Sequence, residues 1–197
     1  MKIAEDFILC IFERNAKKNS NRFMNSIIIR KATISDLETI QEISIQTFME
    51  TFADVNSPEN MQNYIGENLN STQLASEINN PESAFYLATL NSENIGYLKL
   101  NFGNAQTEIH NQKAMEIHRI YVLKVFHGKK MGQLLLDEAL KNGRQMGVDC
   151  IWLGVWEENR RAIQFYSKNG FIEFDKHSFI LGNEVQTDLL MQLEMKK

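Results

Sequence analysis

The chain has 197 residues and a mass of 22.8 kDa, the size of one domain. A chain this long buries about 70% of its unfolded surface, so it needs neither disulfides nor a metal to fold. Its 43% hydrophobic and 23% charged residues exclude a disordered chain, and its net charge of −4 argues against a nucleic-acid partner.

Residues 1–25 read as an N-terminal appendage. The apolar run from Phe7 to Phe12 follows Glu5 and Asp6 and is too short for a signal peptide. The segment from Asn15 to Asn25 has the Asn, Lys and Ser content of a linker, and an upstream start codon is one account of residues 1–23. Residues 26–197 then form the domain. Ile27–Lys31 predicts a short buried strand. Ser35-Asp36-Leu37-Glu38 has the form of a capping box, and Leu37, Ile40, Ile43, Thr47 and Phe48 follow at helical spacing. Ser57-Pro58-Glu59 starts a second helix, with Pro at its first position. Ser71 caps a third, with Leu74 and Ile78 on one face.

Strands come next. Ala84–Leu90 and Ile95–Phe102 flank Asn91-Ser92-Glu93-Asn94, a hairpin by its turn residues. Ala114–Leu123 is a strand and Lys130–Met146 a helix with Leu134, Leu135, Ala139 and Leu140 inward. Asp149–Val155 is a strand rich in large apolar residues. Asn159–Asn169 is a helix stopped by Gly170 as a left-handed cap. Phe171–Leu181 and Val185–Glu194 form a closing hairpin around Gly182-Asn183. The order β-α-α-α-β-β-β-α-β-α-β-β predicts a mixed α/β sheet with helices on both faces.

Charge is unevenly spread along this order. Residues 32–98 hold no Lys or Arg but ten acids, from Asp36 to Glu93. Such a stretch predicts a negative face suited to a cationic partner, with solubility as the plain alternative. Cys10 and Cys150 give no disulfide framework, and Cys150 sits in an apolar run as a core residue. A reducing cytoplasm fits. No apolar run reaches the ~18 residues of a membrane span.

Two segments carry chemistry. In Glu116-Ile-His-Arg-Ile-Tyr-Val122, then His127-Gly-Lys-Lys-Met-Gly-Gln133, a strand enters a short loop that opens a helix. Free amides and the dipole at a helix start make an anion site, and Gly128, Gly132, Lys129 and Lys130 suit one. Turn chemistry alone would account for the two glycines. No dinucleotide fingerprint or P-loop is present. In the second segment, from Val155 to Phe171, Asn159 caps the helix that follows. Ala162, Phe165, Tyr166 and Asn169 share one of its faces. A tyrosine at that place is ordinarily core with a satisfied hydroxyl.

Together these segments resemble the GNAT acetyltransferase superfamily. The family's loop pattern is Gln/Arg-x-x-Gly-x-Gly/Ala, and this chain has His127-x-x-Lys130-x-Gly132, departing at His127 and Lys130. The second segment, Asn-x-x-Ala-Ile-x-Phe-Tyr-x-Lys-x-Gly-Phe, matches without a departure. Ser44–Phe52, Asn56–Met61, Glu116–Tyr121, Ile151–Glu157 and Gln186–Leu189 further resemble the PaiA-type spermine/spermidine acetyltransferases of bacteria. The likeness runs from about residue 26 to 193.

The resemblance implies a mostly antiparallel central sheet of about seven strands, with acetyl-CoA as cosubstrate and no metal. It implies that Ile120, Tyr121 and Val122 pair with the pantetheine arm and that residues His127, Gly128, Lys129, Lys130, Met131, Gly132 and Gln133 hold the pyrophosphate. Asn159 and Lys168 would contact the coenzyme further along. Tyr166 would protonate the leaving thiolate. A primary amine has a pKa near 10, so presenting it neutral at pH 7 costs about 4 kcal/mol and calls for a base. Glu116 is the first choice, through a water, with His118 second; a charge at a strand start is the plain reading of Glu116. His110 and His127 read as surface residues, and His177 as a residue of the substrate side.

A polyamine carries several cations on apolar spacers and asks for spaced carboxylates and aromatic walls. Glu50, Asp54 and Glu59, with Phe48, Phe52 and Tyr64, supply both; Trp156, Glu157 or Glu158, Glu184 and Asp188 add to them. The rival functions are acetylation of protein N-termini, lysines or another small amine, and non-catalytic sensing of acetyl-CoA or polyamine. The sequence leaves a homodimer open.

Overall fold

The computed structural model describes residues 27–108, 112–181 and 184–195. The expected appendage, residues 1–25, lies outside them, as do Ser26, His110 and the turn at Gly182-Asn183.

Seven strands form one sheet: β1 Ile27–Lys31, β2 Ser83–Leu90, β3 Glu93–Phe102, β4 Ala114–Val122, β5 Cys150–Trp156, β6 Ile172–Leu181 and β7 Glu184–Glu194. Their order across the sheet is β1-β2-β3-β4-β5-β7-β6. Every pairing is antiparallel except that of β4 with β5. Five helices complete the fold: α1 Leu37–Phe52, α2 Pro58–Asn68, α3 Ser71–Asn79, α4 Met131–Met146 and α5 Arg160–Lys168. The expected element order holds, as does the mixed, mostly antiparallel sheet.

Two cores form because the sheet is apolar on both faces. Under α4, Leu135, Leu136 and Ala139 are wholly buried against Leu98, Leu100, Met115 and Ile117. Each leucine so buried contributes roughly 1.5–3 kcal/mol. On the opposite face, Ile40 and Ile43 of α1 and Leu74 of α3 cover Phe85, Leu87 and Tyr97. Parallel strands need a crossover, and α4 supplies it between β4 and β5.

Turn and cap chemistry differs from the sequence reading in three places. The first helix begins with a 3-10 turn, Ile34–Asp36, and its capping box is Thr33 with Asp36, whose Oδ2 accepts from Thr33 N at 2.9 Å. Ser35 stays exposed; the pattern of a cap recurs two residues earlier, and the bidentate Arg30–Asp36 ion pair selects that register. Asn70, not Ser71, caps α3, its Oδ1 accepting from Gln73 N at 2.8 Å. The β2–β3 turn is the two residues Asn91 and Ser92, both with positive φ, which is the hairpin geometry that matches strand twist. The caps of α2 by Ser57 and of α5 by Asn159, and the left-handed Gly170 with φ +88°, are as expected.

One irregularity positions the site. Strand β4 pairs with β3 down its whole length, but with β5 over only three residue pairs, Ala114↔Cys150 to Glu116↔Trp152. Beyond Glu116 and Trp152 the two strands part. Their carboxyl ends thus leave a cleft in the middle of the sheet, the kind of place where α/β proteins put ligands.

Candidate active site

The cleft opens into a cavity of about 860 Å³ that runs from the start of α4 to the face of β7. Its volume is that of a small-molecule site. Its two ends differ in chemistry.

At one end stand the loop before α4 and the first turns of α4 and α5. Gly128 has φ +77° and a Cβ there would meet nothing within 4 Å, so the loop backbone is open to a ligand. Lys130 is the residue before α4 and has φ +63°, a left-handed conformation that costs a non-glycine about 1–2 kcal/mol. The loop pattern that the sequence resembles has glycine at this place, a residue that takes such a φ without strain. No side chain caps α4, so its first amides are left for an anion. His127 Nε2 lies 2.7 Å from the Val122 carbonyl oxygen, and Nδ1 lies 2.6 Å from Arg161 Nη1. Arginine only donates, so Nδ1 accepts, and Nε2–H donates to Val122. The imidazole ties the end of β4 to the start of α5. Lys124, Lys130 and Arg161 make this end cationic.

Tyr166 reaches the middle of the cavity from α5. It is 7% exposed, packed edge-on to Phe165 at 5.3 Å and beside Phe171 at 5.7 Å. Among the described residues its hydroxyl has no hydrogen-bond partner. Burial raises its pKa far above the ordinary tyrosine value, so the phenol keeps its proton.

The other end is aromatic and acidic. Phe48 of α1 stacks on Tyr64 of α2 at 4.3 Å, and Phe52 meets Trp156 of β5 at 6.0 Å. Glu50 lines the cavity while its Oε2 accepts from Lys124 N at 2.7 Å. Asp188 of β7 faces in across Gly154, whose missing side chain leaves the space: a Cβ there would lie 3.3 Å from Asp188 Oδ2. Burial pushes the Asp188 carboxyl up to about 6, with His177 opposing.

Two β4 residues lie between the ends. Glu116 is 3% exposed and its carboxylate accepts three hydrogen bonds, from Asn101 Nδ2 at 3.0 Å, Thr107 N at 3.0 Å and Thr107 Oγ1 at 2.7 Å. Burial raises its pKa while these donors oppose the rise. His118 forms a bulge between the pairs Lys99↔Arg119 and Leu100↔Ile117, so alternation along β4 is broken between Glu116 and Ile120. Its Nδ1 is buried without a partner among the described residues, and burial beside Lys99 and Arg119 lowers its pKa well below the ordinary value.

The structure therefore brings together Glu50, Glu116, Ile120, Tyr121, Val122, His127, Gly128, Lys130, Met131, Gly132, Gln133, Trp156, Asn159 and Tyr166 around one cavity. It does not bring Lys129, Lys168, Asp54 or Glu157 to the lining. Lys129 instead sits over the Phe126 ring at 5.1 Å. Lys168 comes two residues after Tyr166, which in a helix of 3.6 residues per turn is the far side of α5, and it is exposed. Asp54 and Glu157 lie just past the ends of α1 and β5 and face solvent. Arg161, Arg119, Glu108 and Gln186 line the cavity without having been singled out from the sequence. Arg161, Arg119 and Gln186 lie within segments quoted for the family resemblance, whereas Glu108 has no signal in its local sequence. Among the described residues, no group of three His, Cys, Asp or Glu is placed to hold a metal, and no helix is long and apolar enough to cross a membrane.

Residues 38–171 match the model of the acetyltransferase (GNAT) family. The chain is 38% identical over 169 residues to the uncharacterized N-acetyltransferase of the pepI 3′ region of Lactobacillus delbrueckii subsp. lactis, covering 86% of this chain and 98% of that one. It is 34% identical over 168 residues to the spermidine N(1)-acetyltransferase of Thermoplasma acidophilum, covering 82% and 99%. Its fold is similar to the crystal structure of the PaiA N-acetyltransferase of Thermoplasma acidophilum in complex with coenzyme A, with a TM-score of 0.71, 30% identity and coverage of 86% and 99%.

Proposed function

The chain belongs to the GNAT acetyltransferase family, and on that premise we propose that it acetylates a primary amine of a polyamine of the spermidine or spermine type, in a direct ternary complex with acetyl-CoA. The observation that carries this reading is the parting of β4 and β5 after Glu116 and Trp152, with an anion-binding loop at one end of the opening and an aromatic, acidic wall at the other. A thioester coenzyme with phosphates at one end and an elongated cation match these two ends. The 34% identity to a spermidine N(1)-acetyltransferase over nearly all of its length supports the choice of polyamine.

The residues fit the coenzyme. The open backbone at Gly128, the uncapped start of α4 and the cations Lys124, Lys130 and Arg161 would hold its phosphates, and Ile120 to Val122 its pantetheine arm. Bound acetyl-CoA supplies a thioester to the amine. Tyr166, protonated and lacking a protein partner, is the acid for the thiolate that leaves. Phe52 and Trp156 offer faces to the methylene chain and its cations. Glu116 keeps a place as a residue through which a water could be oriented, its carboxylate held by Asn101 and Thr107.

Mass spectrometry of spermidine, spermine, lysine peptides and aminoglycosides incubated with the protein and acetyl-CoA tests the reading. Acetylated polyamine formed in preference to the other amines is expected. Preferential acetylation of peptides or aminoglycosides would overturn the polyamine assignment.

A further inference from the structure

Deprotonating the acceptor is the step the site must solve, and the two β4 candidates are poorly suited to it. Glu116 spends both oxygens on three donors. His118 is held neutral beside Lys99 and Arg119 and resists taking a proton. A third group has the geometry that both lack.

Asp188 sits on β7 directly across from His177 of β6, so their side chains stand about 5 Å apart at Cβ. His177 in turn lies with Nδ1 3.2 Å from Glu108 Oε1. All three line the cavity. Asp188 is half-buried, while the His177 and Glu108 side chains are 45% and 33% exposed at the mouth. Among the described residues, no hydrogen bond occupies the Asp188 carboxylate. The titratable groups facing it are His177 from β6 and Tyr64 from α2, with Glu116 across the cavity on β4; β5 adds no titratable side chain to the lining.

We propose that Asp188 accepts the proton of the incoming ammonium group and that His177 and Glu108 pass it to the mouth of the cavity. With Nδ1 engaged by Glu108, the other ring nitrogen of His177 is the one left to receive the proton from Asp188, and an imidazole can take a proton on one nitrogen while releasing one from the other. The balance closes. The ammonium gives one proton to Asp188, and the amine nitrogen bonds to the thioester carbon. The C–S bond breaks and the thiolate takes a proton from Tyr166, which recovers one from the acylated nitrogen. One proton leaves through His177 per amide formed. The relay rests on the acetyltransfer reading given above.

The test is the pH profile of kcat/KM for Asp188→Asn, taken with spermidine or whichever amine the protein turns over. Expected is a fall of about 10²-fold at pH 7 with coenzyme A affinity held and no loss of melting temperature, and tenfold recovery per pH unit toward the amine pKa, where neutral amine no longer needs a base. Because Glu108 and His177 are partly exposed, His177→Gln and Glu108→Gln keep the test open should Asp188→Asn fold poorly; each should lower kcat about 10-fold without raising the amine KM. A merely attractive charge would raise KM and leave the profile unmoved. An unmoved profile in Asp188→Asn, or unchanged kcat in both rim variants, overturns the relay alone. Coenzyme A binding with no amine turned over overturns the acetyltransfer reading and the relay with it.

Discussion

Lys99 Nζ lies 2.9 Å from Glu77 Oε2, with only 4% and 12% of the two side chains exposed. Arg119 makes a second, two-pronged contact to the same carboxylate, at 2.7 and 3.3 Å. One buried carboxylate thus serves two buried cations, drawn from β3 and β4. Part of the acid excess of residues 32–98 is spent inside the protein, where Arg119 also lines the cavity. Removing one partner of a buried pair leaves the other charge uncompensated, a loss of about 3–5 kcal/mol. Glu77→Gln should therefore lower the unfolding free energy by that order in chemical denaturation, and more than Glu50→Gln.

Lys130 offers a cleaner separation of backbone from charge. Its φ of +63° is strained for any residue with a Cβ. Lys130→Gly and Lys130→Ala remove the same charge, but only glycine relieves the backbone. Thermal unfolding should place the Gly variant about 1 kcal/mol above the Ala variant. Equal melting temperatures would mean the loop is not strained.

The fold was largely legible because its signals are local: alternation in the strands, Ser57 and Asn159 at helix starts, Gly170 at a helix end. The anion end was legible for the same reason, since Gly128 to Gln133 and Asn159 to Tyr166 are contiguous segments. Cap registers were missed where two equivalent caps adjoin, as at Asn70 and Ser71, where Asn70 also donates its Nδ2 to Gly66 O and Glu67 O at the end of α2. The aromatic, acidic end was harder. Asp188, His177 and Glu108 come from two strands and a loop, and only pairing across β6 and β7 brings them together. Glu77 looked like one more acid in a base-free stretch because its cations lie 22 and 42 residues away.

Tyr166→Phe keeps the packing against Phe165 and Phe171 and removes one proton. Since the hydroxyl has no protein partner among the described residues, stability should hardly change. The kcat should fall by about 10²-fold while the coenzyme A dissociation constant stays within about twofold, read by stopped-flow thiol release and calorimetry. An unchanged kcat would remove Tyr166 from the acid role.

Trp156→Ala removes the ring that faces Phe52 at 6.0 Å. A cation over an indole is worth about 0.5–2 kcal/mol. If the proposed function holds, the KM for spermidine should rise by about 3- to 30-fold with kcat nearly constant, because the ring would face the chain of the amine and not the reacting carbonyl.

Asp188 has a stability signature separate from its role in turnover. Its carboxyl lies at about 6 in the folded protein against an ordinary 3.8, because burial disfavours the charge. Between those values the folded state binds more protons than the unfolded state, so stability falls as pH rises through 6. The contribution is complete below about pH 4 and lost above about pH 6. Asp188→Asn removes the buried charge and keeps the shape. At pH 8 it should be more stable than the parent by an amount on the order of 1–2 kcal/mol after allowance for solvent screening, and at pH 4 the two should coincide. Paired melting curves across that range check it. A parent as stable as the variant at pH 8 would mean that Asp188 is well solvated, and a solvated carboxylate would be a weak base for the amine.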